Sequence, residues 1–279
     1  MRQSSLSMIG DSIRFEEVQR ARELLRGVVP ASRLVEAASL ARVSGADVRL
    51  KLECEGPTGS FKVRGATVAI RRRIEQGGTR GVVTSSTGNH GAAVAFAARQ
   101  GDLPAAVFLP EKPNPVKRER IARLGAQIFE AGRDIEESRE RASQFARERG
   151  WALMTDGVDP EIVVGTATIG CEIIEQYPDI DTIYVLVGDS SLIRGIAFAA
   201  KELRPQVSVI GVQAEGAPAY ARSWREQHAI MTKRAATCAD GLGTRMALEQ
   251  NVRELCKLVN DMALVSDEEM LRALPVDCR

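Results

Sequence analysis

An α/β fold with a mainly parallel, twisted sheet flanked by helices is predicted by three observations in this 279-residue chain. Short apolar runs alternate with helical segments from about residue 81 to residue 214, the rhythm of strands joined by crossover helices. Glycines such as Gly77 and Gly150 stand where the helical patterns stop. The loops leading from strand to helix are rich in small and hydroxyl residues, and parallel sheets place ligands in such loops.

Each element has its own signal. Residues 16–26 read as an opening helix closed by Gly27, and residues 48–53 are strand-like, followed by a loop over 54–59. Residues 61–76 have helical length. Arg71, Arg72 and Arg73 are then the basic last turn of that helix before Gly77-Gly78, rather than a polyanion site. Residues 81–84 form a strand leading into an alanine-rich helix that ends at Arg99, and Ala105–Leu109 is the next apolar run. Asn114-Pro115 pairs an N-cap with proline at the first helical position. Gln127–Glu130 is strand-like, and Asp134 with Glu137 has the form of a capping box. The spacing further predicts helices over Pro160–Gln176, 192–203 and 266–274, with strands over 182–187 and 207–214.

Composition narrows the class. Lys+Arg 38 against Asp+Glu 37 leaves a net charge of +1, without the clustered basic excess of a nucleic-acid binder. No apolar run approaches the ~18 residues of a membrane helix. The start, Met1-Arg2-Gln3, leads into charged helical sequence, so no secretory signal is expected. Five cysteines without a CxxC pair point to a reducing, cytoplasmic setting and against a zinc ribbon. Two histidines, His90 and His228, exclude a His-rich metal site.

Three loops carry candidate chemistry. In Thr58-Gly59-Ser60-Phe61-Lys62-Val63-Arg64-Gly65-Ala66 a lysine stands just inside a helix start. The helix dipole and partial burial both disfavour its ammonium form there, as a Schiff-base nucleophile requires. In Ser85-Ser86-Thr87-Gly88-Asn89-His90-Gly91 hydroxyls and N–H groups at a helix N-terminus make a carboxylate site. Simple N-capping accounts for one hydroxyl but not three, and His90 reads as structural or as a backbone contributor. In Gly188-Asp189-Ser190-Ser191-Leu192 small residues and serines suit a phosphate. Asp189 is out of place beside a dianion, so its side chain is expected to turn away, offset by Arg194 or the helix dipole.

Taken together, these loops resemble the pyridoxal-phosphate enzymes of fold type II, closest to the threonine/serine dehydratases and serine racemases. Thr58 through Ala66 is similar to their lysine signature, Ser86 through Gly91 to their asparagine loop, and Gly188 through Leu192 stands at their phosphate loop. Gly211-Val212-Gln213 and Ala239-Asp240-Gly241 fall in family order. The resemblance implies two domains of the tryptophan synthase β-like kind. Residues 50–149 would be a small domain with the lysine and the substrate-carboxylate loop, and residues 1–49 and 150–279 a large, C-terminally shortened cofactor domain.

It also implies roles. Lys62 would hold pyridoxal 5′-phosphate covalently and, once freed, take the Cα proton. Phe61 and Asn89 would meet the ring, while Gly188, Asp189, Ser190, Ser191, Leu192 and Gly241 would bind the cofactor. Ser86, Thr87, Asn89 and His90 would bind the substrate carboxylate, and Thr87 stands where racemases carry a second acid/base. Glu215 matches one acid of a metal site found in some relatives, but Ala221 replaces the second, so no metal is expected. The implied activity is loss of water from L-threonine or L-serine to a 2-oxo acid and ammonia, in a cytoplasmic homodimer. Serine racemisation, a hydroxyectoine-type dehydration, or a non-catalytic relative without its C-terminal cofactor contact are the alternatives.

Overall fold

The computed structural model describes residues 13–86 and 88–274. The chain opens with α1 (Phe15–Leu25), β1 (Leu34–Glu36), α2 (Ala38–Ser44), β2 (Arg49–Lys51) and α3 (Lys62–Gln76). It continues through β3 (Val82–Ser85), α4 (Asn89–Gln100), β4 (Ala105–Leu109), α5 (Pro115–Arg123), β5 (Gln127–Glu130) and α6 (Ile135–Arg149). Next come β6 (Ala152–Leu153), α7 (Pro160–Gln176), β7 (Thr182–Leu186), α8 (Ser191–Leu203) and β8 (Ser208–Ala214). The last elements are α9 (Ala219–Glu226), α10 (Glu249–Leu258), β9 (Asp261–Val265) and α11 (Asp267–Ala273). Two units emerge: residues 16–30 and 54–166 form one, here the Lys62 unit, and residues 13–15, 31–53 and 167–274 the other, here the Gly188 unit. The boundary at 166/167 falls inside α7.

The Lys62 unit is built on four parallel strands in the order β5-β4-β3-β6. Val83 stands opposite Ala106 on one side and Leu153 on the other. All five residues of β4 are buried, as expected of a strand inside a parallel sheet. Val83, Ala106 and Phe108 meet Ala142 and Ala146 of α6 in one core cluster, with Phe129, Phe145 and Trp151 against it. Phe108 stacks on Phe129 at 4.8 Å and Phe145 meets Trp151 edge-on at 5.3 Å, pairs worth about 1 kcal/mol each beyond their buried area. Asn114 caps α5 by accepting from the N–H groups of Val116 and Lys117.

Position and burial explain the charged helix ends. Asp134 accepts from the Glu137 N–H, but the Glu137 carboxylate turns to the Arg133 N–H and guanidinium. The expected box is therefore half formed, and Arg133 holds the Glu137 carboxyl down to about 2. The basic last turn of α3 also reaches distant partners. Arg71 donates to the Gln100 carbonyl, Arg72 pairs with Glu161 and Arg73 with Asp159. These arginines tie α3 to α4 and to the start of α7, partners far away in sequence.

The Gly188 unit has a parallel sheet in the order β7-β8-β9, with Val185 opposite Gly211 and Gly211 opposite Met262. Residues 49–51 pair instead with β1 in an antiparallel hairpin, Val35 opposite Leu50, and Glu53–Glu55 is a 3-10 turn. The strand expected over 48–53 is thus shorter and belongs to a separate two-stranded sheet. On α9, Trp224 accompanies the buried Tyr220, whose hydroxyl accepts from Asn251 of α10 at 3.1 Å. The elements β1, α2, β6, α9, α10 and β9 had not been anticipated. In α10 the buried Val252, Leu255 and Leu258 recur at three-residue steps, a legible helical stripe. The two residues of β6 carry no period to read.

Candidate active site

In the Lys62 unit, the loops at the carboxyl ends of the neighbouring strands β3 and β6 come together. The Thr84 hydroxyl donates to the Met154 carbonyl at 2.8 Å, and the His90 ring nitrogen Nε2 stands 3.3 Å from the same oxygen. Helix α3 is held there by close backbone approach. A Cβ on Gly65 would meet the Ile162 carbonyl at 2.8 Å, and one on Gly165 would meet Gly65 Cα at 2.5 Å. No larger residue fits that crossing.

Lys62 is the first residue of α3, with Phe61 at the N-cap and its own N–H directed at Ser60 Oγ. Its ammonium group lies 4.9 Å from the centre of the Phe61 ring and is ion-paired with Asp156, both side chains largely buried. The sequence reading placed only the helix dipole and burial around this amine. The structure adds a carboxylate in direct contact with it.

Asn89 opens α4, and Gly88 rather than a hydroxyl residue is the N-cap. Ser86 Oγ accepts from the Gly88 N–H at 3.3 Å, so it shapes the turn before the helix. The first hydrogen bond of α4 runs from the Ala92 N–H to the Gly88 carbonyl. Helix geometry gives the N–H groups of residues 89–91 no acceptor within the helix, a suitable setting for a carboxylate. Arg120 of α5 donates to the Thr58 carbonyl and reaches Asn89 Oδ1 at 3.5 Å. The amide oxygen of Asn89 thus faces a donor-only group and Nδ2 is available to donate. Thr87 lies outside the described residues.

The Gly188 unit carries the second candidate loop, at the carboxyl end of β7. A Cβ on Gly188 would meet the Gly241 carbonyl at 2.5 Å, so the two glycines assigned to the cofactor are neighbours. Ser190 is the N-cap of α8 in a left-handed conformation (φ 69°), and its Oγ is buried without a hydrogen-bond partner. The first bond of α8 runs from the Arg194 N–H to the Ser190 carbonyl, so the first-turn N–H groups have no partner inside the helix. Asp189 Oδ1 accepts from the Thr244 hydroxyl at 2.8 Å. Arg194, expected to offset Asp189, is instead buried in a pair with Glu254 at 2.7 Å. Thr244 takes that part, and no spacing in the sequence marked it. Among the described residues no three His, Cys, Asp or Glu side chains group as metal ligands.

These groups suit pyridoxal phosphate within each unit: a primary amine at a helix start beside one loop, and an uncommitted buried hydroxyl at a helix N-terminus in the other. An αL residue with a side chain costs about 1–2 kcal/mol, more than the roughly 0.4–1 kcal/mol of extra chain entropy that glycine brings. Ser190→Gly should therefore raise the melting temperature of the cofactor-free protein by about 1–3 °C. Loss of the hydroxyl donor should weaken pyridoxal-phosphate binding about fivefold. Melting curves and a binding titration check both signs.

Folds of this kind define a class of α/β proteins with lysine and small-residue loops at strand ends. The chain belongs to the family described as pyridoxal-phosphate dependent enzyme, whose model matches residues 26–275. It is 34% identical over 262 residues to the L-threonine ammonia-lyase of Thermotoga maritima, covering 94% of this chain and 65% of that protein. The L-threonine ammonia-lyase of Geobacter sulfurreducens is 32% identical over 92% of this chain and 64% of its own. The chain thus spans just under two thirds of these relatives. Among solved structures, maize serine racemase has a TM-score of 0.91 at 28% identity, covering 95% of this chain and 80% of that one. The processed threonine deaminase isoform 2 of Solanum lycopersicum has a TM-score of 0.87 at 27% identity, with 94% and 78% covered. The fold is that of the fold-type II enzymes.

Proposed function

We propose that the protein is a pyridoxal-phosphate-dependent ammonia-lyase that removes water from L-threonine or L-serine, giving a 2-oxo acid and ammonia. The observation that carries this reading is Lys62 at the start of α3, its amine paired with Asp156 in the loop that follows β6. The threonine chemistry named for the relatives supports the substrate. Pyridoxal phosphate, when bound, supplies an aldehyde for the amine and a ring that withdraws electrons from the substrate Cα.

The chain's own residues do the rest. Lys62 provides the amine and later accepts the Cα proton. Phe61 packs at the ring, and Asn89 Nδ2 donates to its oxygen. The N–H groups of Asn89 and His90, with Ser86 and Thr87, hold the substrate carboxylate, and Thr87 offers a hydroxyl to the reacting face. Gly188, Asp189, Ser190, Ser191 and Leu192 cradle the phosphate, with the Asp189 side chain turned to Thr244 and the first turn of α8 favouring the phosphate charge, and Gly241 also meets the cofactor. In this reading residues 50–149 act as the small, substrate-facing domain and the rest as the cofactor domain, in a homodimer. The described cysteines Cys54, Cys171, Cys238 and Cys256 are free, which supports a cytoplasmic setting. No described helix is long and apolar enough to cross a membrane.

The likeness to maize serine racemase favours racemisation as the second reading. The test is an absorbance spectrum of the purified protein with pyridoxal phosphate, before and after L-threonine, with product analysis. A visible band and 2-oxobutanoate from threonine are expected. D-serine from L-serine without oxo acid would establish the racemase, and a colourless, inert protein would sink both.

A further inference from the structure

The ion pair between Lys62 and Asp156 is unexplained by the roles assigned so far. Asp156 lies in the loop between β6 and α7, and its Oδ1 also accepts from the Gly157 N–H at 3.1 Å. The other charged groups around this loop are committed elsewhere. On the same loop Asp159 is paired with Arg73, and at the start of α7 Glu161 is paired with Arg72. On α4 the His90 ring sits on the Met154 carbonyl, and on α5 Arg120 holds the Thr58 carbonyl. Arg64, two residues along α3, is itself buried. Asp156 is therefore the carboxylate in direct contact with the reactive amine.

We infer that Asp156 is a positioning residue and proton acceptor for Lys62, holding the ε-ammonium at the start of α3 until an aldehyde arrives. When the amine reacts, an Nζ–H bond breaks and the proton passes to Asp156 Oδ2, leaving the electron pair on Nζ. That pair forms the bond to the aldehyde carbon; the two protons left on Nζ move to the aldehyde oxygen, its bond to carbon breaks and it departs as water, leaving a neutral C=N bond and a neutral Asp156 carboxyl. Nothing is oxidised or reduced, and no co-reactant is needed. A helix start alone would leave the amine without a fixed direction. The carboxylate sets that direction through the ion pair. The inference rests on Lys62 being the reactive amine, and it can fail separately from the proposed threonine chemistry.

The test uses the full chain, freed of cofactor with hydroxylamine, and an acylating reagent that attacks only neutral amines. Labelling at Lys62 is quantified by mass spectrometry across pH 6–10, with the exposed Lys112 as internal reference. Asp156→Asn keeps the shape and removes the charge. It should label at Lys62 about tenfold faster than wild type near neutral pH, because the amine is no longer held in the ion pair. Asp156→Glu restores the charge and should return the curve toward wild type. A merely structural role predicts the same loss or gain in both variants. Circular dichroism and unchanged Lys112 labelling verify that each variant is folded, and Asp156→Ser replaces Asp156→Asn if the amide does not fold. Identical Lys62 curves in wild type and the charge-free variant overturn the inference. Threonine turnover is measured apart, so a chain inert toward threonine that shows the faster labelling would remove the proposed substrate and leave Asp156 in place.

Discussion

Lys62→Ala is expected to reduce threonine turnover by about a thousandfold or more, since a positioned base alone contributes roughly 10²–10⁴-fold and this residue also supplies the covalent attachment. The same variant should give no visible band that survives borohydride reduction as a labelled peptide. Its stability should change little, because alanine suits a helix start and the deletion leaves Asp156 at a loop with a backbone donor, the Gly157 N–H. Steady-state assays with reductive labelling distinguish this from unfolding. Near-wild-type turnover in Lys62→Ala would remove the basis of the proposed function.

The largest effect on stability is expected at Arg194. Its guanidinium donates to Glu254 through both Nε, at 2.8 Å, and Nη2, at 2.7 Å, and the two side chains are only 3% and 6% exposed. Arg194→Met leaves the Glu254 carboxylate in an apolar setting, which costs about 3–5 kcal/mol. Against a typical total stability of roughly 5–15 kcal/mol, that amounts to a fall of about 10 °C in melting temperature. Adding Glu254→Leu should recover most of the loss, since an apolar pair of similar volume is often neutral in such a place. The pair joins the first turn of α8 to α10, so the single variant should also loosen the loop at Gly188 and weaken cofactor binding. Calorimetry on the two variants checks the order.

Much of this architecture was legible because local signals agreed with the fold. Strands β4 and β5 and helix α7 have the bounds that their strand-like and helical runs predict. The lysine and asparagine loops were legible for another reason: residue type and order along the chain mark them without any knowledge of contacts. What escaped depends on tertiary pairing. Asp156 follows a strand of two residues, too short to show alternation, and its partner lies 94 positions away. Thr244 meets Asp189 across 55 positions. The arginines of α3 read only as a basic helix end because Glu161 and Asp159, their partners, are distant in sequence. The hairpin of β1 and β2 escaped because strands of three residues show no alternation to read.

Trp151, set edge-on against Phe145, and Trp224, on α9, are the two tryptophans of the chain. One lies in each unit. Indole emission is therefore a reporter already divided between the halves of the molecule. Replacing either ring with phenylalanine leaves a fluorophore that follows the melting of a single half, so whether the two unfold in one step or in sequence can be read optically without attaching a dye.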